Sequence, residues 1–221
     1  MADTAPGDPG SGDAAAGDAG ARPLIAVLDY GIGNLRSAQK ALEVCGADAR
    51  LTADTGLVAD AAAGVLPGVG AFGACMQALR EAGMEEVVHA AVESGRPFLG
   101  VCVGMQMLFS TSEEDASERG LGVIDGTVTW IGDRLPRPQM QWNQLALTIP
   151  TDPLFAGLGA RPWMYFVHSL HAVPDDPAVV AATCVQVAAA SDRPSACPAR
   201  ADNVASRITS SMRDPARTWM K

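Results

Sequence analysis

The fold of this chain is decided by the stretch Gly95-Arg96-Pro97-Phe98-Leu99-Gly100-Val101-Cys102-Val103-Gly104-Met105-Gln106-Met107-Leu108-Phe109. Residues 98–101 form an apolar run behind a Gly-Arg-Pro break, which predicts a buried strand of a parallel sheet. From Met105 onward the apolar residues recur at helical spacing, which predicts a helix that continues through Leu108 and Phe109. Small residues on either side of Cys102, at positions 100 and 104, allow a tight turn between the two elements.

Cys102 lies at this predicted turn, in the pattern Gly-x-Cys-x-Gly. The pattern is the cysteine version of the Gly-x-Ser-x-Gly nucleophile elbow. A helix N-terminus lowers the pKa of a thiol, and the thiolate is the nucleophilic form. The alternative is a structural cysteine buried between two packing glycines. The switch from strand to helix and the glycine pair favour a nucleophile.

Composition predicts one α/β domain. The chain has 221 residues, of which 48% are hydrophobic, and this is enough for a full core. The formal net charge of −9 argues against nucleic acid or an anionic membrane as the main partner. Five cysteines without a C-x-x-C pair predict neither a disulfide framework nor a zinc site, and so favour a reducing cytoplasm. The sequence shows neither a long apolar run nor the pattern of a signal peptide.

The two ends of the chain differ in composition from its centre. Residues 1–22 are small or polar with several aspartates, and they predict a disordered acidic leader. Residues 23–184 carry the strand and helix patterns and form the predicted domain. Residues 185–221 form a divergent tail with few large apolar side chains, in which six of the sixteen Lys and Arg residues fall from Arg193 onward.

The predicted domain opens with strand, glycine turn and helix. Leu24–Leu28 is the predicted first strand, and a helix follows from Leu35 to about Gly46. The Gly-x-Gly of the turn lacks the third glycine and the later acidic residue of a dinucleotide fingerprint, so a Rossmann cofactor site is a weak alternative.

An oxyanion hole is predicted after the third strand. Strands are predicted at 49–52 and 64–66, and the latter leads directly into Pro67-Gly68-Val69-Gly70. Gly68, Val69 and Gly70 give a backbone that can present N–H groups to a developing negative charge. An ordinary tight turn is the alternative. Helical faces follow over 72–92.

The second half of the chain is predicted to contain more loops. Residues 110–115 predict a polar acidic loop, Asp125-Gly126 a tight hairpin within 124–128, and residues 136–143 a polar loop. Strands are predicted at 163–169 and 179–184. On the first of these, Tyr165 and Val167 share one face, while Phe166 and His168 share the other. His168 is therefore either a core histidine or a polar member of a site.

Five motifs together resemble a known family. They are Asp29-Tyr30-Gly31-Ile32-Gly33-Asn34-Leu35-Arg36-Ser37, Leu66-Pro67-Gly68-Val69-Gly70-Ala71-Phe72, Gly100-Val101-Cys102-Val103-Gly104-Met105-Gln106, Met140-Gln141-Trp142-Asn143 and Tyr165-Phe166-Val167-His168-Ser169. The set is similar to the glutaminase subunits of imidazole glycerol phosphate synthase, class I glutamine amidotransferases of histidine biosynthesis, over about residues 24–184. The resemblance implies a flavodoxin-like α/β fold with a mostly parallel central sheet flanked by helices, its last strands missing or disordered.

The resemblance also implies roles for individual residues. Cys102 would form a glutamyl thioester, beside an oxyanion strand at 68–70. Gln106, Glu114 and Tyr165 match positions around the glutamine substrate. The positions that face the partner cyclase are Asn34, Trp142 and Asn143. The implied partner is a (βα)8-barrel cyclase in a heterodimer, L-glutamine is the substrate, and no metal or organic cofactor is implied.

The chain departs from the family pattern in two places. Gln139 and Gln141 stand where histidine and glycine are usual, which alters the hinge at the subunit interface. The family continues past Cys184 to Gln-Phe-His-Pro-Glu-Lys-Ser, whose histidine is the general base and whose glutamate orients it. This chain has no histidine after His171 and no glutamate after Glu118. The loss favours a frameshifted or replaced C-terminus.

Three hypotheses of function follow. The first is glutamine hydrolysis that supplies ammonia to the cyclase. The second is a catalytically impaired homologue without the His and Glu of the triad, retaining at most cyclase binding. The third is another cysteine hydrolase of the same fold that uses His168 or His171 as its base, although the motifs on the partner side argue against it.

Overall fold

A computed structural model describes residues 22–132 and 136–184. The predicted tail of 185–221 and all of the predicted leader except Arg22 lie outside the described residues. Within them, four strands form a parallel sheet in the order β2-β1-β3-β4. These strands are β1 (Leu24–Leu28), β2 (Asp48–Thr52), β3 (Ala63–Gly68) and β4 (Phe98–Cys102). The sequence predicted all four.

Helices connect the strands of this sheet. They are α1 (Leu35–Val44), α2 (Thr55–Asp60), α3 (Phe72–Glu81) and α4 (Glu85–Glu93). The sequence predicted α1, α3 and α4 but missed α2, which is one and a half turns long and begins where the Asp54 side chain accepts hydrogen bonds from the N–H groups of Gly56 and Leu57. Parallel strands joined by helices are the expected result of the opening strand-turn-helix pattern.

The largest core cluster lies between this sheet and its helices. It contains Leu28 and Leu66 from the strands and Phe72, Met76 and Leu79 from α3, all of them 0% exposed. Burial of each such side chain stabilises the fold by about 1.5–3 kcal/mol. The core therefore holds α3 against β3. This packing determines the path of residues 69–71, which connect the two elements.

The helix after Cys102 is shorter than predicted. It is α5 (Val103–Gln106), and strand β5 (Phe109–Ser112) begins three residues later, where the sequence predicted more helix and then a loop. The returning chain explains the difference. The N–H of Leu121 donates to the carbonyl of Met107 at 2.7 Å, and the N–H of Ile124 donates to that of Leu108 at 3.0 Å. These carbonyls are therefore not available to continue a helix.

The hairpin predicted at Asp125-Gly126 is wrong. Strand β6 (Ile124–Trp130) runs through both residues, parallel to β5 and antiparallel to β10 (Leu170–Pro174). Gly126 has a φ of +139°, and a Cβ there would lie 2.7 Å from the Cα of Pro174. The glycine is thus explained by the close approach of β10 rather than by a turn.

The loop predicted over 136–143 is wrong from Gln139 onward. Strand β7 (Gln139–Gln144) pairs antiparallel with β9 (Trp163–His168), and we call this pair the ribbon. Pairing with a partner distant in sequence explains the strand, because the polar composition of 136–143 does not by itself favour one. The strand predicted at 163–169 is confirmed, and so is its alternation, since Tyr165 and Val167 are exposed and Phe166 and His168 are half-buried.

The strand predicted at 179–184 is confirmed only in part. Strand β11 (Ala182–Thr183) has two residues and pairs with β8 (Ala146–Leu147), while Pro177–Val179 forms a 3₁₀ turn capped by the Asp176 side chain. A proline at the start of this turn cannot donate to a sheet, which limits the strand to residues beyond it.

Strand β4 is the last strand of the parallel sheet within the described residues. Leu99 and Val101 on this strand are 43% and 41% exposed, although strands of parallel sheets are normally covered on both faces. None of the helices in the described part of the chain is long and apolar enough to cross a membrane.

Candidate active site

The turn at Cys102 has the geometry of a nucleophile elbow. Cys102 has φ +56° and ψ −122°, and it is the one non-glycine residue with positive φ in the described residues. Such a conformation costs of order 1–3 kcal/mol and persists only where surrounding structure enforces it. Cys102 ends β4, precedes the first residue of α5 and is exposed. Its thiol therefore lies at the carboxyl edge of the sheet, where open α/β sheets place their sites.

Both glycines of the elbow are required by packing. A Cβ on Gly100 would lie 2.6 Å from the Cα of Met105 in α5, and a Cβ on Gly104 would clash with the carbonyl oxygen of Leu66 in β3. Backbone atoms cannot move aside as the end of a flexible side chain can. The Gly-x-Cys-x-Gly pattern therefore allows β3, β4 and α5 to meet at one point.

The predicted oxyanion strand lies beside the elbow. Gly68 is the register partner of Cys102 in the parallel pair of β3 and β4. A Cβ on Gly68 would clash with the backbone nitrogen of Gly104, and Gly70 has a φ of +90°. The segment leaves the sheet at the same edge as Cys102, so the predicted oxyanion strand and the predicted nucleophile are neighbours. The structure thus brings together the residues that the sequence predicted for nucleophile and oxyanion hole.

Two side chains that contact this segment from its buried side were not predicted from the sequence to have a role in the site. The Tyr30 hydroxyl donates a hydrogen bond to the carbonyl of Pro67 at 2.6 Å, and the Cys75 thiol donates one to the carbonyl of Val69 at 3.2 Å. Burial raises the pKa of both groups above their ordinary values, so both are protonated donors at neutral pH. Tyr30 is within the first family motif, but Cys75 is in none, and its helical position suggests only core packing.

The predicted substrate residues lie in different places. Gln106 is 6% exposed in α5, and the Glu114 carboxylate accepts a hydrogen bond of 2.8 Å from the N–H of Phe72 at the start of α3. Phe72 is two residues after Gly70, so this hydrogen bond places Glu114 next to the predicted oxyanion strand. Glu114 is therefore part of the same region as the elbow.

Tyr165 is instead on the exposed face of the ribbon. Its side chain is 55% exposed and its ring centroid is 5.5 Å from that of Trp142, the residue directly opposite on β7. Asn143, which the sequence grouped with Trp142, points to the other face and is 5% exposed. Asn34 is exposed at the N-cap of α1, and its side chain makes no capping hydrogen bond.

No cluster of three or more His, Cys, Asp or Glu suited to a metal occurs in the described residues.

Several known proteins are similar to this chain in sequence. A family model described as a CobB/CobQ-like glutamine amidotransferase domain matches residues 30–144. The chain is 48% identical over 163 residues to the imidazole glycerol phosphate synthase subunit HisH of Synechococcus elongatus, covering 73% of this chain and 75% of that protein. It is also 48% identical to the HisH subunit of Syntrophotalea carbinolica, with 72% and 81% covered. This chain belongs to the HisH family. The family that the sequence motifs predicted is thereby confirmed.

Solved structures confirm the predicted fold. The chain superposes on a glutamine amidotransferase crystal structure with a TM-score of 0.58 at 22% identity, covering 72% of this chain and 79% of that one. It superposes on the structure of PurLQS from Thermotoga maritima with a TM-score of 0.56 at 20% identity, with 76% of each chain covered. The HisH chain therefore has the class I glutamine amidotransferase fold. The family model and the HisH relatives confirm the predicted glutamine amidotransferase identity. The alternative of an impaired homologue has no support from these comparisons.

His168 and His171 of this HisH chain make contacts within its sheets. The Nδ1 of His168 is 2.8 Å from the carbonyl of Leu170, and its Nε2 is 2.9 Å from the Gln139 side-chain oxygen. Burial lowers the pKa of His168, so its ring is neutral, with Nδ1–H as the donor and Nε2 as an acceptor. The buried side-chain nitrogen of Gln139 makes no hydrogen bond. A half-turn of the Gln139 amide would let this nitrogen donate to the Nε2 of His168. His171 contacts Thr129 through Nε2 at 3.1 Å.

Proposed function

We propose that this HisH chain hydrolyses L-glutamine to glutamate and ammonia, with Cys102 as the nucleophile. The observation that carries the proposal is the positive φ of Cys102 at the end of β4, next to Gly68 in register. An exposed thiol beside a segment whose backbone can present N–H groups supports this proposal, because acyl transfer needs both a nucleophile and such donors. The 48% identity to HisH subunits supports the same reaction class.

The chemistry follows from the elbow. The thiolate of Cys102 adds to the carboxamide carbon of glutamine, and the carbonyl oxygen takes up the negative charge. N–H groups of the oxyanion strand at 68–70 stabilise that charge. The carbon–nitrogen bond then breaks, the nitrogen leaves as ammonia with the proton that the Cys102 thiol gave up on ionising, and a glutamyl thioester remains. Water cleaves the thioester to glutamate and restores the thiol.

Substrate binding is proposed at the residues around the elbow. The Glu114 carboxylate accepts a hydrogen bond from the N–H of Phe72, two residues after the proposed oxyanion strand, and has the charge that complements the α-ammonium of glutamine. Gln106 is part of α5, directly behind the nucleophile. Tyr165 is the third proposed residue, and it would reach the substrate from the exposed face of the ribbon.

We propose that the ammonia passes to a cyclase subunit, a (βα)8 barrel, in a cytoplasmic heterodimer. The names of the relatives support this partnership, because they are subunits of imidazole glycerol phosphate synthase. The exposed face of the ribbon offers an apolar surface, formed by Met140, Trp142, Trp163, Tyr165 and Val167, which are 50% to 63% exposed. Large contiguous apolar patches of this kind mark protein interfaces. Asn34, Trp142 and Asn143 remain the proposed interface residues, with Asn143 acting from the buried face.

Selective labelling of Cys102 tests the proposed reaction. A diazoketone analogue of glutamine should modify Cys102 and none of Cys45, Cys75, Cys184 or Cys197, and glutamine should protect it. Cys75 and Cys184 are buried, and the exposed Cys45 follows the end of α1 rather than the start of a helix. Peptide mass spectrometry gives the modified position. Labelling of Cys102 at the rate of Cys45, or without protection by glutamine, would contradict the proposal. Glutamine turnover with purified cyclase then measures the complete reaction.

A further inference from the structure

Arg80 fastens an acidic segment along helix α3. Its guanidinium contacts the Glu118 carboxylate at 2.6 Å and donates a hydrogen bond to the carbonyl of Arg119 at 2.7 Å. We call residues 114–119, which begin with the proposed substrate residue Glu114, the strap. We propose that Arg80 is a positioning residue, which through the strap holds the Glu114 carboxylate where it meets the α-ammonium of glutamine. The inference rests on the proposed glutamine hydrolysis.

The strap contacts α3 at both ends of the helix. At the start, the Glu114 carboxylate accepts the hydrogen bond from the N–H of Phe72 at 2.8 Å. A Cβ on Gly73 would clash with the Asp115 carboxylate, so this second acid also lies against the first turn. Arg80 lies in the last turn. The carboxylates are at the positive end of the helix dipole and the arginine is at the negative end, so both contacts are favourable.

A tight turn stiffens the strap between these two contacts. The N–H of Glu118 donates to the carbonyl of Asp115 at 3.3 Å. The N–H and the hydroxyl of Ser117 donate to the Asp115 carboxylate at 3.0 Å and 2.6 Å. A displacement of Glu118 is therefore passed on to Glu114, four residues earlier in the chain.

The ion pairs of Arg80 contribute little to folding stability. The side chains of Arg80, Glu85 and Glu118 are 34%, 33% and 33% exposed, and the pair of Arg80 with Glu85 measures 3.0 Å. Pairs this exposed are screened by solvent. Position has a larger effect, because a charge-assisted contact of about 2.8 Å is lost when its carboxylate moves by about 1 Å. The loss of Arg80 should therefore change glutamine binding more than stability.

The two acidic partners of Arg80 give a matched pair of variants. Glu118 belongs to the strap, whereas Glu85 is the first residue of α4. Arg80→Ala, Glu118→Ala and Glu85→Ala are compared in the full chain. Arg119→Ala is a further control, because the exposed Arg119 contacts Arg80 through its carbonyl, which the substitution keeps. The probe is L-glutamine, and the measured quantity is the concentration that half-protects Cys102 from iodoacetamide.

We expect Arg80→Ala to raise this concentration about tenfold and Glu118→Ala about threefold. Glu85→Ala and Arg119→Ala should stay within about 1.5-fold of the unmodified chain, because they leave the strap in place. Melting temperatures should fall alike for Glu118→Ala and Glu85→Ala, since the two ion pairs are equally exposed. Equal rises for these two variants, or no rise for Arg80→Ala, would overturn the inference and leave the proposed function standing.

A double variant shows whether Arg80 acts through Glu114. Glu114→Gln removes the charge that binds the α-ammonium, so Arg80→Ala added to it should raise the glutamine concentration by less than about twofold more. A further tenfold rise in the double variant would mean that Arg80 acts on the fold as a whole, and would overturn the inference. Failure of glutamine to protect Cys102 in the unmodified chain would overturn the proposed function as well.

Discussion

Gly68 and Cys102 are direct partners in the parallel pairing of β3 with β4, so the proposed oxyanion strand and the proposed nucleophile leave the sheet side by side. They are brought together by the backbone pairing of two strands. The glycines at 68, 100 and 104 then let α5 pack against both strands. The geometry of the proposed site therefore depends on these glycines, which carry no reactive group.

The first prediction concerns Gly104. Its replacement by alanine should abolish labelling of Cys102 by the glutamine diazoketone, because the new methyl group meets the carbonyl of Leu66 and must displace α5 or β3. Overpacking of this kind costs about 1–3 kcal/mol of folding stability. Thermal unfolding and labelling measure the two effects. Gly132→Ala is the control, since a Cβ there has no neighbour within 4 Å. Normal labelling of Gly104→Ala would show that the elbow tolerates a side chain.

How far the sequence predicts the structure depends on the range of the interactions. Strands β1, β3 and β4 and the elbow follow from apolar runs next to glycines, which are local signals, and the structure confirms them. The end of α5 is different, because it is set by hydrogen bonds from residues 121 and 124, well beyond any local window. The same holds for β7, which is a strand because β9 pairs with it.

The residues of the candidate site also divide into those with a local sequence signal and those placed by long-range contacts. Cys102 and the glycines at 68 and 70 are predictable, since their residue types are unusual and their spacing is short. Cys75 is not, because a small apolar residue in an amphipathic helix normally fills core space. Its partner is the carbonyl of Val69, and a backbone acceptor leaves no mark in the sequence. Family resemblance adds Gln106 and Glu114, and the contact of Glu114 with the start of α3 is a long-range one.

The second prediction concerns the ribbon as the docking surface for the cyclase. Trp142→Ala should weaken binding to a purified histidine-pathway cyclase about thirtyfold or more, since a central interface tryptophan commonly contributes 2 kcal/mol or more. Trp142 is 63% exposed and contacts Tyr165 with tilted rings, so its loss removes little from the core.

The matched control for this prediction is Trp130→Ala. Trp130 is 38% exposed on β6, where the Arg137 guanidinium lies 5.3 Å from its ring centroid. Surface plasmon resonance at equal ionic strength compares the two variants with the unmodified chain. Equal loss of affinity in both, or unchanged binding of Trp142→Ala, would exclude this face as the docking surface.

The third prediction concerns stability at mildly acidic pH. Burial lowers the pKa of His168, and the neighbouring charge of His171 lowers it further. The unfolded chain therefore binds a proton at higher pH than the folded chain. The resulting stability is present above the ordinary histidine pKa of about 6.5 and is lost as pH falls below it.

His168→Gln should remove this part of the pH dependence, because glutamine does not titrate. Melting temperatures measured between about pH 7 and pH 5 should fall less steeply for the variant than for the unmodified chain. The variant is expected to be less stable than the unmodified chain at pH 7, where the contacts of His168 with Leu170 and Gln139 are intact. Parallel curves for the two proteins would show that His168 does not contribute to the acid transition.

The last prediction concerns Tyr30. Its hydroxyl is buried and holds the carbonyl of Pro67, so Tyr30→Phe leaves a buried acceptor without this donor. The expected cost is about 1–3 kcal/mol of unfolding free energy, measured by urea denaturation at pH 7. Tyr165→Phe is the matched control, because that tyrosine is 55% exposed and its hydroxyl can be solvated. The cost should be absent in the control.

Alkaline pH separates the hydroxyl of Tyr30 from its ring. Burial raises the pKa of Tyr30, and the adjacent Cys75 raises it further, so the unfolded chain releases this proton at lower pH than the folded chain. Stability is therefore complete below the ordinary tyrosine pKa of about 10 and decreases as pH rises above it. Tyr30→Phe should lack this decrease while Tyr165→Phe keeps it. The difference in unfolding free energy between Tyr30→Phe and the unmodified chain should thus shrink from pH 7 to pH 11. A constant difference over this range would mean that the effect of the substitution comes from packing, and that the Tyr30 hydroxyl does not anchor the oxyanion strand.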